Sequence, residues 1–313
     1  MSTTRLSLAL IHSLPLRLLL VSGCQETPAV SQPTFESRSF LPNVVVDPAW
    51  LEANQDSNKI LLVDARSRED YEAGHIPGAV SLPVSTLNGE GENKRNLAPI
   101  KRVETILSGL GVRMDTAVVV YDGAVDYRPA SRIFWVLEVH GHPDAAVLNG
   151  GLPAWQEISS RPLQTEEPAH HPSDFVAVLM PDRLATKLQV LRASSIDSTV
   201  VLDVRSELEY IGEKSKGARS GHIKGASHKD FSTSLSIEPN TDQCALYDIE
   251  SLKELYADLE SSQKVITYCN SGNRASVSYL ALRSLGFDVA VYDGGWLEWS
   301  GNPRLPIRSG LDP

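Results

Sequence analysis

An internal repeat constrains the fold of this chain more than any other feature of its sequence. Four segments of the first half recur in the same order in the second half: residues 62–67 (LVDARS) as 201–206 (VLDVRS), residues 74–79 (GHIPGA) as 221–226 (GHIKGA), residues 118–122 (VVVYD) as 265–269 (VITYC), and residues 149–155 as 293–299. Such a repeat indicates two copies of one domain that fold alike. Differences between the copies are then informative about function.

Both copies alternate short apolar runs with stretches of helical periodicity. The apolar runs predict buried strands at residues 60–63, 117–121, 145–148, 200–202, 264–268 and 289–292. The spacing of apolar residues predicts helices at residues 97–109, 130–139, 249–259 and 274–285. Because strands that alternate with helices usually pair in parallel, we predict an α/β fold in which each copy is a mainly parallel sheet with helices on both faces.

The chain has 313 residues and is 42% hydrophobic, which suffices for two domains that each bury a core. We place the first domain at residues 44–163 and the second at residues 181–309, joined by a proline-containing linker at residues 164–180. The formal net charge of −10 argues against a nucleic-acid partner, which requires a concentrated basic face. No cysteine and histidine group has the spacing of a zinc site, so we predict no metal.

The N-terminal residues differ in composition from the rest of the chain. Arg5 precedes an apolar run at residues 6–21, and small residues lead from this run to Cys24. The pattern is typical of a bacterial lipoprotein signal. We predict a signal peptide at residues 1–24, lipidation of Cys24 and a flexible tether at residues 25–43. The protein would then lie in the periplasm or cell envelope and meet the membrane only through its lipid; the alternative is a disordered leader with a chance cysteine motif.

The strongest candidate for chemistry is a loop that begins with Cys269. It follows the predicted strand at residues 264–268, leads into a predicted helix and contains Asn270, Ser271, Gly272, Asn273 and Arg274. We call residues 269–274 the cysteine loop. Ligands of parallel sheets bind beyond the carboxyl ends of the strands, and the N–H groups of a loop that enters a helix favour a thiolate. We therefore predict that Cys269 is a reactive nucleophile and not an inert core cysteine.

The cysteine loop is also suited to bind the substrate. Its backbone N–H groups and Arg274 can hold an anionic group, such as the sulfonate of thiosulfate, while the outer sulfur of that molecule is attacked. The small residues Ser271 and Gly272 let the backbone approach the sulfur closely. Arg219 and Lys216, in an insertion of the second copy at residues 213–220, are further candidates for binding the donor.

These motifs resemble the rhodanese family, specifically its tandem-domain thiosulfate and 3-mercaptopyruvate sulfurtransferases. The resemblance covers residues 44–308 and includes the Asp-x-Arg strand ends, the two Gly-His-Ile-x-Gly-Ala segments, the cysteine loop and residues 291–299 (VYDGGWLEW). It implies two tandem rhodanese-like domains, no cofactor and a two-step transfer. In that transfer Cys269 takes sulfane sulfur from a small anionic donor as a persulfide and passes it to cyanide or a thiol.

The two copies differ at the position of the nucleophile. Asp122 stands in the first copy where Cys269 stands in the second, with Arg128 near the place of Arg274. A carboxylate cannot accept sulfane sulfur, and its charge would oppose anion binding. We therefore predict that the first domain is catalytically silent and contributes packing and one wall of a cleft between the domains.

Two other functions use the same loop. Related phosphatases place five residues between cysteine and arginine, whereas four residues lie between Cys269 and Arg274, which favours sulfur over phosphate. A non-enzymatic persulfide carrier or binding module remains the main alternative. Glu209 stands where mercaptopyruvate-using relatives commonly have an arginine, which favours thiosulfate as the donor. 3-Mercaptopyruvate stays open as a donor, because Arg219 or Lys216 could take the place of that arginine; the alternative for these two residues is that they are solvated loop charges.

Several other residues near these motifs are assigned structural roles. Asp64 and Asp203 each precede an arginine-containing turn, and we interpret each as one half of an internal Asp–Arg pair. The histidines at positions 75 and 222 are interpreted as hydrogen-bonding their loops rather than acting as bases. Cys244 lies in what the sequence suggests is an irregular polar stretch, where an unpaired bystander is favoured over a redox partner of Cys269. Trp296 either lines the substrate pocket or packs the following helix.

Overall fold

The first half of the chain forms a five-stranded parallel sheet. A computed structural model describes residues 1, 39–90, 96–193, 198–238 and 243–313. The sheet has the order β1-β5-β4-β2-β3, and its strands are β1 (Val45–Val46), β2 (Ile60–Asp64), β3 (Val80–Ser81), β4 (Ala117–Tyr121) and β5 (Ala145–Leu148). The accompanying helices are α1 (Pro48–Asn54), α2 (Arg68–Ala73), α3 (Ile100–Gly109), α4 (Arg128–Val139) and α5 (Gly151–Ile158).

The second half repeats this architecture around a four-stranded parallel sheet. The strands of this half are β6 (Thr199–Asp203), β7 (His222–Ile223), β8 (Ser227–His228), β9 (Leu235–Ile237), β10 (Cys244–Leu246), β11 (Lys264–Tyr268), β12 (Val289–Val291) and β13 (Ile307–Arg308). The parallel sheet has the order β12-β11-β6-β8, and two short antiparallel pairs, β7–β13 and β9–β10, lie outside it. The helices are α6 (Lys187–Ala193), α7 (Glu207–Tyr210), α8 (Ile249–Leu255), α9 (Asn273–Ser284) and α10 (Gly295–Gly301).

Both faces of each parallel sheet are buried, which explains the continuous apolar runs. In β4, Val118 and Val120 belong to one hydrophobic cluster, whereas Val119 and Tyr121 belong to another. Successive side chains of a strand point to opposite faces, so a strand covered on both sides must be apolar throughout. The predicted α/β fold, with parallel sheets and helices on both faces, is confirmed.

The two domains share one core on the side where they meet. The cluster that contains Val120 of the first domain also contains Val265 of the second, and helices α4 and α9 pack against each other between the two sheets. Glu138 on α4 accepts hydrogen bonds from the Arg283 guanidinium on α9, at 2.7 Å from Nη2. The expectation of a core for each domain is therefore incomplete, because part of the core belongs to both.

Three local predictions need correction. The predicted helix at residues 97–109 begins at Ile100, because the preceding residues run toward the second domain. Cys244 lies in strand β10 and is buried, not in an irregular polar stretch. The predicted tether at residues 25–43 is not flexible at its described end: Leu41 is buried in the core, and the Phe40 N–H donates to Asp144 at 2.8 Å.

The predicted linker at residues 164–180 follows the surface of the first domain. Gln164 pairs with His75. The Val178 N–H donates to the carbonyl just after α4, and the Met180 N–H donates to the last carbonyl of α4. No helix in the described part of the chain has the length and apolar character needed to cross a membrane. The predicted signal peptide, including Cys24, lies outside the described residues.

Candidate active site

Cys269 lies at the carboxyl end of β11, between β6 and β12. Cys269 is buried, with 2% of its surface exposed. Its carbonyl accepts a hydrogen bond from the N–H of Trp296 at 2.8 Å. Gly295 has φ +55°, and a Cβ there would lie 2.5 Å from the Cys269 carbonyl oxygen. The start of α10 therefore holds the beginning of the cysteine loop in close backbone contact, which only glycine permits.

The cysteine loop presents a row of unused backbone donors. The N–H groups of residues 270–275 donate to no acceptor among the described residues. Three of them belong to the first turn of α9, whose N–H groups have no partner within the helix. Converging N–H groups at a helix N-terminus bind anions. The cysteine loop therefore offers free backbone donors to an anion, which is what the predicted anion-binding role requires.

Arg274 lies in this loop, but its charge is compensated by a partner that the sequence analysis missed. Its guanidinium donates two hydrogen bonds to Glu209, with Nη1–Oε2 at 2.7 Å and Nη2–Oε1 at 3.1 Å. The amide of Asn270 donates to the same carboxylate at 2.8 Å. Burial opposes ionisation of Glu209, but its bonds to Arg274 and Asn270 outweigh burial and lower its pKa to about 2.

The Glu209 pair changes the predicted role of Arg274. A guanidinium held by a buried carboxylate orders the loop and adds little net positive charge for a substrate anion. The Ser206-x-x-Glu209 spacing is a capping-box signal that predicts the start of α7, and this box is present. The sequence signal does not predict the contact with Arg274, which depends on how α7 and α9 are arranged in space.

The predicted Asp–Arg pairs are present in both domains. Arg205 is fully buried and binds Asp203 through Nε and Nη2, and its Nη2 also donates to the Gly221 carbonyl at 2.8 Å. Arg66 makes the same contacts with Asp64 in the first domain. These pairs connect the end of one strand to the Gly-His-Ile turn. Their role is structural, as predicted.

The histidines of the Gly-His-Ile segments also hold loops. The Nδ1 atom of His222 lies 2.9 Å from the Tyr210 carbonyl, and that of His75 lies 2.9 Å from the Tyr71 carbonyl. Burial lowers the pKa of His222, so its ring is neutral near pH 7. Each ring also stacks on the tyrosine whose carbonyl it bonds. Neither histidine is arranged as a general base.

The first domain fills its own loop with a carboxylate. Asp122 accepts hydrogen bonds from the N–H groups of Ala124 at 2.8 Å and Ala130 at 3.1 Å. Burial raises its pKa to about 6. The loop therefore holds an anion of its own, and no thiol is available at this position. Arg128 is not a counterpart of Arg274, because it is half exposed and pairs with Asp126.

Arg219, predicted to bind the donor, instead binds backbone carbonyls of its own domain. Its guanidinium donates to four backbone carbonyls at the end of α10 and just after it: Trp299 at 3.2 Å, Ser300 at 2.9 Å, Asn302 at 2.6 Å and Leu305 at 3.0 Å. Carbonyls at a helix C-terminus have no partner within the helix and attract cations. Here the four hydrogen bonds occupy the Arg219 guanidinium. Arg219 anchors the inserted loop to α10.

Cys244 and Trp296 are also structural. Burial, followed by the charges of Asp122 and Asp126, raises the pKa of the Cys244 thiol to about 12, so this thiol is not a nucleophile at neutral pH. Trp296 is fully buried, and its Nε1 donates to the Arg219 carbonyl at 3.1 Å. Trp296 therefore packs the inserted loop against α10 rather than lining a substrate pocket.

One cavity borders the cysteine loop, and a second borders Glu209, the partner of Arg274. One, of about 600 Å³, is lined by Ser271, by Asn96 of the first domain and by residues around Asp293 and Glu298. The other, of about 560 Å³, is lined by Ser206, Glu209, Lys214, Ser215 and Lys216. The first domain thus contributes to the wall of a cavity beside the loop. Both cavities are wide enough for small anions and thiols.

The family model of the rhodanese-like domain matches residues 47–158 and again residues 186–302. The chain belongs to the rhodanese family. Thiosulfate sulfurtransferase of Azotobacter vinelandii is 32% identical over 268 residues, which cover 85% of this chain and 97% of that protein. Thiosulfate sulfurtransferase of Pseudomonas aeruginosa is 31% identical over 86% of this chain and 98% of that protein. These relationships identify the chain as a sulfurtransferase.

Solved structures agree with this family assignment. The SseA protein of Escherichia coli, described as a 3-mercaptopyruvate sulfotransferase with a rhodanese fold, is 27% identical and superposes with a TM-score of 0.70. The match covers 81% of this chain and 99% of SseA. The superposition therefore extends over both rhodanese-like domains of this chain.

Proposed function

We propose that the protein transfers the sulfane sulfur of thiosulfate to a small thiol or to cyanide through a persulfide on Cys269. The observation that carries this proposal is that Cys269, directly after β11, is followed by the free N–H groups of residues 270–275. These donors stabilise a thiolate and an anionic persulfide without a metal or cofactor. The names of the relatives, thiosulfate sulfurtransferase, support the same donor.

The transfer takes two displacement steps. The Cys269 thiolate attacks the outer sulfur of thiosulfate, a Cys269 S–S bond forms, and the S–S bond of thiosulfate breaks so that sulfite leaves with the electron pair. A thiolate or cyanide then attacks the terminal persulfide sulfur, and Cys269 leaves as a thiolate. Each step is a nucleophilic substitution at sulfur, so no external oxidant or reductant is needed.

The charges around the loop favour thiosulfate over 3-mercaptopyruvate. A carboxylate-bearing donor needs a cation beyond the loop backbone, whereas Arg274 is held by Glu209 and Arg219 by backbone carbonyls. The sulfonate oxygens of thiosulfate lie directly beside the sulfur that is attacked. The N–H groups around Cys269 can therefore bind that sulfonate during the attack.

Steady-state assays with three substrates test this proposal. Thiosulfate with cyanide should yield thiocyanate, 3-mercaptopyruvate should be used less efficiently, and an aryl phosphate should not be hydrolysed. A protein that accepts persulfide sulfur but turns over none of these donors would instead be a carrier. Preferential use of 3-mercaptopyruvate would contradict the assignment of the donor, and hydrolysis of the phosphate would contradict sulfur transfer.

We also propose that the protein is exported and anchored by a lipid on Cys24. The proposal is supported by the apolar run and by the small residues that precede this cysteine. Mass spectrometry of the mature N-terminus in a host that processes lipoproteins tests it. A lipidated N-terminal cysteine is expected, and an intact Met1 would contradict it.

A further inference from the structure

A buried arginine of the first domain lies against the cysteine loop of the second. Arg132, on α4, is 1% exposed and donates from Nη1 to Asp293 at 2.6 Å. Its Nη2 is buried and has no hydrogen-bond partner among the described residues. The guanidinium lies 4.4 Å from the ring centroid of Trp135. An arginine is expensive to bury, so its position needs a reason.

Gly272 provides the contact between this pair and the loop. A Cβ at Gly272 would come within 3.0 Å of both Arg132 Nη1 and Asp293 Oδ1. Gly272 also has φ +85°, which L side chains rarely adopt. The ion pair therefore lies directly against the loop backbone, at the point where the chain turns into α9.

Asp293 connects the same pair to the other side of the loop. Its second carboxylate oxygen accepts from the Leu97 N–H of the first domain at 2.7 Å. Its carbonyl accepts from the Asn96 amide at 2.8 Å. Asp293 begins the segment whose Trp296 N–H donates to the Cys269 carbonyl. Contacts from the first domain thus reach Gly272 through Asp293, and they hold the start of the segment that contacts Cys269.

We propose that Arg132 is a positioning residue: with Asp293 it holds Gly272 in the conformation in which the loop N–H groups converge on Cys269. The proposal rests on the proposed function in that Cys269 is taken as the nucleophile. The catalytically silent domain would then be needed for catalysis because it supplies this support. Small displacements of positioned groups have large kinetic effects, of about 100-fold for a shift near 1 Å.

The test separates loop positioning from general weakening of the interface. Arg132→Met removes the charge beneath the loop, and Arg132→Lys restores a cation that can pair with Asp293. Glu138→Gln is the matched control, because Glu138 is also on α4 and binds Arg283 and Tyr279 of α9 without contact to the loop. All three variants are compared in the full chain, below the temperature at which any of them begins to unfold.

The readouts are the rate constant for alkylation of Cys269 by iodoacetamide and kcat with thiosulfate. We expect Arg132→Met to lower both by about tenfold or more, Arg132→Lys to recover part of the loss, and Glu138→Gln to stay within about twofold of the wild type while lowering Tm. Wild-type rates in folded Arg132→Met, or an equal loss in Glu138→Gln, would overturn the proposal.

A replacement variant and the alkylation readout cover the cases in which Arg132→Met does not fold or the proposed function is wrong. If Arg132→Met does not fold, Asp293→Asn takes its place, since it keeps an oxygen for the Leu97 N–H but loses the charge that holds Arg132; unchanged alkylation in that variant also overturns the proposal. Alkylation uses no sulfur donor. A wild-type protein that is alkylated readily but does not react with thiosulfate would therefore contradict the proposed function and leave the role of Arg132 to be decided by the variants.

Discussion

At the scale of single residues, the two domains place different groups at the anion-binding loop that follows their central strand. Each has a loop of backbone N–H groups at the end of its central strand, and such a loop attracts an anion. In the first domain the anion is the Asp122 carboxylate, which the loop itself supplies. In the second domain the position is held by Cys269, and the nearby carboxylate of Glu209 is paired with Arg274. The first loop is thus filled by its own carboxylate, whereas the second leaves its N–H groups free beside a thiol.

Replacing Glu209 by glutamine should strengthen binding of an anionic donor. The amide can still accept a hydrogen bond from Asn270, but the Arg274 charge is no longer compensated. We expect KM for thiosulfate to fall by about two- to tenfold at low ionic strength, with a lower Tm because a buried cation loses its partner. Steady-state kinetics at several salt concentrations measure this. Glu207→Gln, on the same helix but exposed, is the control, and an unchanged or higher KM in Glu209→Gln would contradict this role of the pair.

The raised pKa of Asp122 predicts how stability depends on pH. The folded-state pKa of about 6 lies above the ordinary value of 3.8, so the folded protein binds more protons than the unfolded chain between these values. Stability contributed by this group is present below about pH 4 and is lost as pH rises toward 7. Relative to Asp122→Asn, the wild type should lose up to about 3 kcal/mol of unfolding free energy across this window. Urea denaturation at several pH values measures the difference, and parallel curves for the two proteins would refute it.

At the scale of the elements, the cysteine loop is held by the start of α10. The Gly294-Gly295 segment places the Trp296 N–H on the Cys269 carbonyl, and the positive φ of Gly295 permits the close approach. This explains why the second copy repeats Gly-Gly before tryptophan, as the first copy does at residues 150–155. The nucleophile is therefore positioned by two segments that are distant in sequence.

An alanine at position 295 should displace the loop. Its Cβ would lie 2.5 Å from the Cys269 carbonyl oxygen and 2.6 Å from that of Asn270, and the positive φ adds backbone strain of about 1–3 kcal/mol. We expect Gly295→Ala to lower Tm and to reduce kcat about tenfold or more. Gly301→Ala is the control, because Gly301 ends the same helix and a Cβ there meets nothing within 4 Å. Equal effects of the two substitutions on kcat would show that the backbone contact is not responsible.

Much of the architecture was predictable from local pattern. The strands Ala117–Tyr121, Ala145–Leu148 and Lys264–Tyr268 have the predicted bounds, because a strand buried on both faces is apolar throughout. The helix predicted from Arg274 begins at Asn273, close to its predicted start. Cys244 was misinterpreted because strand β10 is short and owes its burial to contact with the first domain, where the Cys244 N–H donates to the Ala124 carbonyl.

At the scale of the whole molecule, the contacts that sequence analysis missed are those between distant segments. The Glu209–Arg274 pair, the anchoring of Arg219 on α10 and the Arg132–Asp293 pair each join residues that no local pattern relates. The repeat predicted two domains and the asymmetry between them. The packing of the first domain and its contribution to a cleft were also predicted, but not the core shared along α4 and α9 or the contact of Arg132 with Gly272.

The asymmetry of the repeat leads to the central claim, which is that Cys269 is the one reactive thiol in the described part of the chain. Cys269 lies among free N–H groups, Cys244 is buried with a pKa raised to about 12, and Asp122 replaces the thiol of the first domain. Sulfur taken from thiosulfate should therefore be found at a single position. The first domain should carry none, although its contacts support the site.

Intact-protein and peptide mass spectrometry after incubation with thiosulfate, followed by removal of excess donor, tests this claim most directly. The mature chain should gain the mass of one sulfur atom, located on the peptide that contains Cys269. Cys244→Ser should gain the same mass, and Cys269→Ser should gain none. Sulfur that is absent from the wild type, or that remains on the Cys269→Ser variant, would contradict the mechanism.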